Sequence, residues 1–321
     1  MKYLSEQHIM EIGMDWNGLA DVIQTASELL RNGDTSQPVK PYLRYRDPKN
    51  RIIAMPAFVG GSINTAGIKW IASFPGNIQH QIPRAHATII LNEADTGIPF
   101  AILNTATVSA IRTAAVTAAV IRKYITLNAC ENINFGIIGF GPIGRMHLSM
   151  VDALWGNKLD KIYIYDLRKP DEINIPAHLQ SKVVICNDWQ TVFDNSRILI
   201  TCTVSSGRYI NSIPAKGTLH LNVSLRDYDP SFLLSVDRMV VDDWEEICRE
   251  NTDVEQMHLQ YGLSEDQTFN ISQVLLDDAV LEDAGNSVVM FNPMGMAIFD
   301  IAIARYYFDM SEHMKTGQSL V

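Results

Sequence analysis

The chain has few cysteines, no surplus of positive charge and no long apolar run, and each shortage removes a class of function. Its four cysteines, Cys130, Cys186, Cys202 and Cys248, are scattered through 321 residues. They match no zinc-ligand spacing, so neither a disulfide scaffold nor a zinc module is expected. Thiols this sparse fit a reducing cytoplasm. A formal charge of −10 and a pI near 5.2 argue against nucleic-acid and anionic-membrane partners. Both of those surfaces require a basic face. No apolar stretch reaches the length of a membrane span, and the opening MKYLSEQHIMEIG lacks a signal-peptide core. Internal repeats and low-complexity segments are missing too. What remains is ordinary globular composition, 47% hydrophobic and 19% charged, in a chain long enough for two domains.

Against that background one stretch stands out, INFGIIGFGPIG from Ile133 to Gly144. Its opening, Ile133 to Ile138, is β-branched and aromatic and too short for a helix, so it reads as a buried strand. It breaks into Gly139, Gly141 and Gly144, spaced G-x-G-x-x-G, and Met146, Leu148, Met150, Val151 and Leu154 follow at helical intervals. Such glycines give a tight turn, room for backbone to approach a pyrophosphate, and close packing of helix on strand. The helix that opens with Pro142 and Ile143 then aims unpaired N–H groups at the phosphates. A glycine-rich turn without a ligand is the alternative. The next strand decides between them, because Lys161–Tyr165 ends in Asp166, the acid needed to hold ribose hydroxyls. A carboxylate there repels a 2′-phosphate and favours NAD over NADP, with Arg168 and Lys169 pulling the other way.

The rest of the chain sorts around this unit. Trp16 to Arg31 carries apolar residues at helical spacing, and Asn32-Gly33 ends it. From Pro38 to Pro83 the texture turns to short β-rich runs, among them Gly67-Ile-Lys-Trp-Ile-Ala72. Ala87–Asn92 and Ile98–Leu103 flank Ala94-Asp-Thr-Gly97, a hairpin signal. An α+β domain with its own sheet follows from this. The alanine-rich helix Thr107–Tyr124 connects it to the glycine-rich strand. Further strands are expected at Ile162–Tyr165, Val183–Cys186, Ile198–Thr203, Leu219–Val223 and Met239–Asp242, mostly separated by helices. That alternation implies an α/β fold with a Rossmann-type, doubly wound parallel sheet and ligands at the carboxyl ends of its strands. The apolar helix Ala297–Met310 is expected to return to the first domain.

Charged residues in these settings are candidates for chemistry. The first domain holds Lys40, Arg44, Arg46, Lys49, Arg51, Lys69 and Arg84, most of which would ordinarily be solvated. Lys69 lies inside an apolar strand, where an unpaired ammonium is costly, so it needs a carboxylate from protein or ligand. Arg112 stands in the connector helix, of which only one face need be apolar. Arg44 lies in a loop-like stretch between Pro41 and Pro48. In the second domain, Thr203, Val204 and Ser205 end one strand with polar groups suited to ribose or nicotinamide. Val223 and Ser224 end the next, followed by Asp227, either a general base facing the ligand or a turn cap.

The segments GIKW, IRTAAV, IIGFGPIG, the Asp after NVSL, and NPMGMAI together resemble the ornithine cyclodeaminase/mu-crystallin family over the whole chain. KPYLRYRDP, RIIAMP, GIKWIASFPGN and VVDDW further resemble its subgroup that makes L-2,3-diaminopropionate for siderophores or antibiotics. The resemblance implies a cytoplasmic, homodimeric enzyme that oxidises a carbon–nitrogen bond of a small amino-acid substrate with NAD and without a metal. For the subgroup, that means cleaving a glutamate-linked diaminopropionate to 2-oxoglutarate and L-2,3-diaminopropionate. By the family pattern Arg44 and Arg112, with Arg84, hold substrate carboxylates, Lys69 sits at the reacting centre and Asp227 is the acid/base. Arg112, Thr113 and Asn292 join the glycine loop and strand-end residues as cofactor contacts. Residues 1–115 with 293–321 then form a substrate-binding and dimerisation domain, and 116–292 the NAD-binding domain. Two departures count against ornithine cyclisation: Ile53 replaces a Glu of the cyclodeaminases, and Ser231 a Lys. The alternatives are an ornithine cyclodeaminase or ketimine reductase, and an NAD(P)-dependent small-ligand binding protein of the crystallin type.

Overall fold

The computed structural model describes residues 1–205 and 207–320. The chain divides into two compact units, Met1–Val116 with the stretch from Met296 onward, and Thr117–Gly295. In the first, β1 (Lys2–Ser5) and α1 (Glu6–Ile12) lead to α2 (Trp16–Arg31). Asp15 caps α2 by accepting the Gly18 N–H at 3.2 Å, and Trp16, Leu19, Ala20, Ile23 and Ala26 form its buried face. Then come β2 (Thr35–Ser36), β3 (Tyr42–Leu43), β4 (Arg51–Val59), β5 (Thr65–Ser73), β6 (Ala85–Glu93) and β7 (Pro99–Asn104). In β6 the buried residues Ala87, Ile89 and Leu91 alternate with less buried ones, the period that lays one sheet face on a core. The division between units falls within α3 (Thr107–Leu127). This helix is buried on more than the single face expected, because alanines let neighbours approach from several sides.

The second unit is a run of strands and helices: β8 (Ile133–Ile138), α4 (Pro142–Trp155), β9 (Leu159–Tyr165), β10 (Val183–Ile185), α5 (Trp189–Asn195), β11 (Ile198–Thr201) and β12 (Leu219–Asn222). After these come β13 (Arg238–Val241), α6 (Trp244–Ile247), α7 (Asp253–Tyr261), β14 (Thr268–Asn270), α8 (Ile271–Leu276) and β15 (Val289–Asn292). They form one sheet in the order β10-β9-β8-β11-β12-β15-β13-β14, parallel throughout. The order reverses between β8 and β11, the switch point at which a doubly wound sheet receives its ligand. This is the Rossmann-type sheet expected. β11 and β12 stop two residues and one residue earlier than expected, because the chain peels away there to build the loops described below.

The chain then re-enters the first unit through α9 (Ala297–Met314) and β16 (Gln318–Ser319). α9 packs on α2 and on β4, β5 and β6, and β16 pairs antiparallel with β1. The first sheet thus runs β16-β1-β7-β6-β5-β4-β2, with β3 also on β4. Among the described residues, no helix is long and apolar enough to cross a membrane.

Candidate active site

At the carboxyl end of β8 the chain turns at Gly139, with φ +92°. A Cβ there would stand 2.7 Å from the Cys202 carbonyl carbon, just past β11, so a side chain would push the two strand ends apart. Gly144, in the first turn of α4, comes so near this loop that a Cβ would lie 2.1 Å from the Gly139 oxygen. A Cβ on Gly141 would meet no atom within 4 Å. Open space over that backbone is what the fingerprint requires for a pyrophosphate. Gly141 is also the N-cap of α4, with Pro142 next in a position whose N–H would be unpaired anyway. Directly after β9, Asp166 accepts the Phe140 N–H at 2.6 Å and the Arg168 N–H at 3.0 Å. The acid is therefore tied to the glycine loop.

The loop after β12 carries the second feature. Asp227 has no solvent exposure; Thr203 Oγ1 donates to its Oδ1 at 2.5 Å and Ser224 Oγ donates to its Oδ2. Burial pushes the Asp227 carboxyl up to about 6, although the Ser224 and Thr203 hydroxyls pull it down; the nearby Asp253 carboxylate adds to the rise. A carboxyl poised there can accept a proton near neutral pH and give it back. The Thr203 and Ser224 hydroxyls, expected to meet the cofactor, both donate to Asp227. Ser205 Oγ donates to Gly207 O at 2.6 Å, and Val204 is 68% exposed. Asn292 is fully buried: its amide donates to Val240 O at 3.2 Å and its oxygen accepts from Asn222 at 2.9 Å. Its side chain braces the sheet.

In the first unit, Lys69 and Arg112 are buried and converge on one oxygen. Lys69 Nζ and Arg112 Nε both donate to Asp300 Oδ1, at 2.8 and 2.9 Å. Lys69 Nζ also donates to Ser109 Oγ at 3.1 Å. Asp300 Oδ2 is buried without a hydrogen-bond partner. Burial brings the Lys69 ammonium down to about 8; Asp300 opposes that fall, while Arg112 and Lys40 reinforce it. Burial alone would raise the Asp300 carboxyl, but Arg112 and Lys69 hold it below the usual carboxylate range. The carboxylate that Lys69 requires thus comes from α9. Lys40 is 6% exposed and acts on Lys69, a role its place in a basic stretch did not reveal. Arg44 is exposed, its guanidinium 5.1 Å from the Tyr42 ring centre. Arg84 is half-buried just before β6, and Thr113 Oγ1 donates to Ser109 O at 2.8 Å within α3.

Three acids escaped the sequence reading: Asp300, Asp253 and Asp242. Asp300 carried a signal, since it is the one charge in the apolar run Ala297-Ile-Phe-Asp-Ile-Ala-Ile-Ala304. Asp253 and Asp242 sit in ordinary acidic stretches, and only their partners distinguish them. Asp253 meets Asn222 and Arg208, and Asp242 accepts the Met294 and Gly295 N–H groups at 3.0 and 2.6 Å.

A glycine loop at the switch point of a parallel sheet, with an acid at the next strand end, defines a two-unit protein built on a dinucleotide-binding fold. The chain belongs to the ornithine cyclodeaminase/mu-crystallin family, whose model matches residues 2–315. An N-((2S)-2-amino-2-carboxyethyl)-L-glutamate dehydrogenase of Staphylococcus aureus is 30% identical over 343 residues, covering 100% of this chain and 98% of that one. Among solved structures, the Delta(1)-pyrroline-2-carboxylate reductase of Thermococcus litoralis, in complex with NADH and L-proline, matches with a TM-score of 0.87. The identity is 20%, and 100% of both chains is covered. An archaeal alanine dehydrogenase dimer with bound NAD matches with a TM-score of 0.85 at 21% identity, covering 100% of this chain and 99% of that one.

Proposed function

We propose that this protein oxidises N-(2-amino-2-carboxyethyl)-L-glutamate with NAD and water, giving 2-oxoglutarate, L-2,3-diaminopropionate, NADH and a proton. The observation that carries the reading is the 30% identity, over the full chain, to the Staphylococcus aureus dehydrogenase of that substrate. The open backbone at Gly141 and the acid held on the loop at Asp166 fit NAD, which supplies the hydride acceptor when bound. Asp227 takes the proton of the attacking water and returns it to the departing nitrogen, a task suited to a carboxyl near 6. Arg112 is anchored through Nε on Asp300, which leaves the terminal nitrogens of its fork for a substrate carboxylate. Lys69 and Lys40 add buried positive charge, and three carboxylates on the substrate match so basic a set. Arg44 and Arg84 belong to the same substrate-binding reading, and a cytoplasmic homodimer formed through the first unit completes it.

Two residues weigh against ornithine. Ile53 offers no carboxylate for a second ammonium, whose desolvation without a partner costs several kcal/mol, on the order of a broken buried pair. Ser231 offers no ammonium, and both its N–H and its hydroxyl go to Asp229 Oδ1, at 2.9 and 2.5 Å. Incubated with the glutamate-linked amine and NAD, the protein is expected to release NADH and 2-oxoglutarate in equal amounts. With ornithine and NAD it is expected to release neither ammonia nor proline. Proline from ornithine, with no NADH from the linked amine, overturns the assignment.

A further inference from the structure

The turn that carries Asp227 does not hold itself. Leu225 takes φ +64°, a left-handed backbone that a leucine adopts only at a cost of about 1–2 kcal/mol. Its N–H donates to Asn222 Oδ1 at 3.0 Å, and its carbonyl accepts the N–H of Asp253 at 2.8 Å. The Asp253 carboxylate, fully buried at the start of α7, does the rest. Its Oδ2 accepts the N–H groups of Asp227 and Tyr228 at 3.0 and 3.1 Å, and Asn222 Nδ2 at 3.0 Å. Its Oδ1 takes Arg208 Nε at 2.8 Å. Arg208 is fixed in turn by the carbonyls of Asn251 and Thr252, at 2.8 and 3.1 Å. From the other side, the Tyr209 and Ile210 N–H groups donate to the Asp227 carbonyl, both at 2.9 Å.

A buried carboxylate with four donors, three of them from the segment Asn222–Tyr228, does more than pair with an arginine. We propose that Asp253, seated by Arg208, is a positioning residue for Asp227, fixing the strained turn so that the Asp227 carboxyl keeps its place between Thr203 and Ser224. The inference rests on the reading of Asp227 as the acid/base. Asp253 is the charged group that faces Asp227, and Tyr209, Tyr228 and Cys202 are the other titratable neighbours. The Asp253 carboxylate also adds to the rise that burial imposes on Asp227.

The test uses the full chain and the variants Asp253→Asn, Arg208→Met and Arg208→Lys. NAD binding is followed by fluorescence titration, Tm by thermal melting, and turnover across pH with the glutamate-linked amine. Asp253→Asn is expected to lower kcat about 10- to 100-fold, the loss that follows from misplacing a reacting group by an ångström or so. NAD affinity should stay near native, and the acid limb of kcat/KM should move, because the Asp227 carboxyl loses its fixed place between the Thr203 and Ser224 hydroxyls together with a negative neighbour. Arg208→Lys should keep most of the turnover that Arg208→Met loses. Native kcat in a folded Asp253→Asn protein, or an acid limb that stays in place, overturns the proposal. Should that variant not fold, the Arg208 pair decides: rescue by lysine supports the proposal, and equal loss in both overturns it. Asp227→Asn assayed alongside separates the two claims, since near-native turnover there removes the acid/base reading itself.

Discussion

For Asp227, desolvation outweighs two hydroxyl donors and leaves the carboxyl at about 6, raised from 3.8. A base must be ionised to act, so kcat/KM is expected to rise with pH through an acid limb near 6. Asp227→Asn keeps the size and loses the proton transfer, so kcat should fall by roughly 10²–10⁴-fold with NAD affinity retained. An Asn variant turning over at the native rate makes Asp227 a turn cap after all. At Asp300 the issue is stability. Two buried cations share its Oδ1, and taking the carboxylate away leaves them facing each other. Asp300→Ala should therefore destabilise the first unit by about 3–5 kcal/mol in denaturant unfolding. Asp300→Ala with Lys69→Met should recover part of that loss, because the variant pair buries one charge fewer. A second substitution that only deepens the loss would rule this out.

At the scale of the element, what could be read from the sequence was what is local. The strand–glycine–helix stretch from Ile133 and the acid at Asp166 declare themselves, because strand period, glycine spacing and the next strand end all lie within one βαβ unit. α2 and the hairpin at Ala94–Gly97 were legible for the same reason, each being set by its own cap or turn. What stayed hidden were partners joined by the fold: Lys69 visibly needed a carboxylate, yet Asp300 lies 231 residues further on. Lys40 and Asp253 look like ordinary surface charge until tertiary packing buries them. The glycine loop yields its own prediction. Asp166 contacts that loop through the Phe140 N–H, and its charge opposes a 2′-phosphate. The native protein is expected to bind NAD more tightly than NADP, and Asp166→Ala to narrow the gap mainly by weakening NAD. Native binding of NADP as tight as NAD or tighter reverses the preference.

Across the whole molecule, the response to acid is set by groups held in one protonation state, and several lie in the second unit. His147 is buried between Thr117 Oγ1 and the Ile143 carbonyl, at 2.9 and 2.8 Å. His220 is buried between Thr218 Oγ1 and Tyr228 OH, both at 3.1 Å. Burial lowers His147 from 6.5 to about 4 and His220 from 6.5 to about 3. Unfolded, both imidazoles take up protons near their ordinary value, so the unfolded state binds more protons below it. Their contribution to stability is present above about pH 6.5 and is lost as pH falls towards the folded values. Asp227 works in the opposite sense, because its raised carboxyl makes protonation favour the fold between about 6 and 3.8, and Asp253 has the same direction. The two histidine shifts together exceed that of Asp227, so the imidazoles are expected to govern the response to acid. Denaturant unfolding at about pH 7 and about pH 4.5 should show the second unit weakened by acid, with His220→Gln flattening the dependence. A second unit as stable at the lower pH, or more so, would mean that the carboxyls and not the imidazoles govern it.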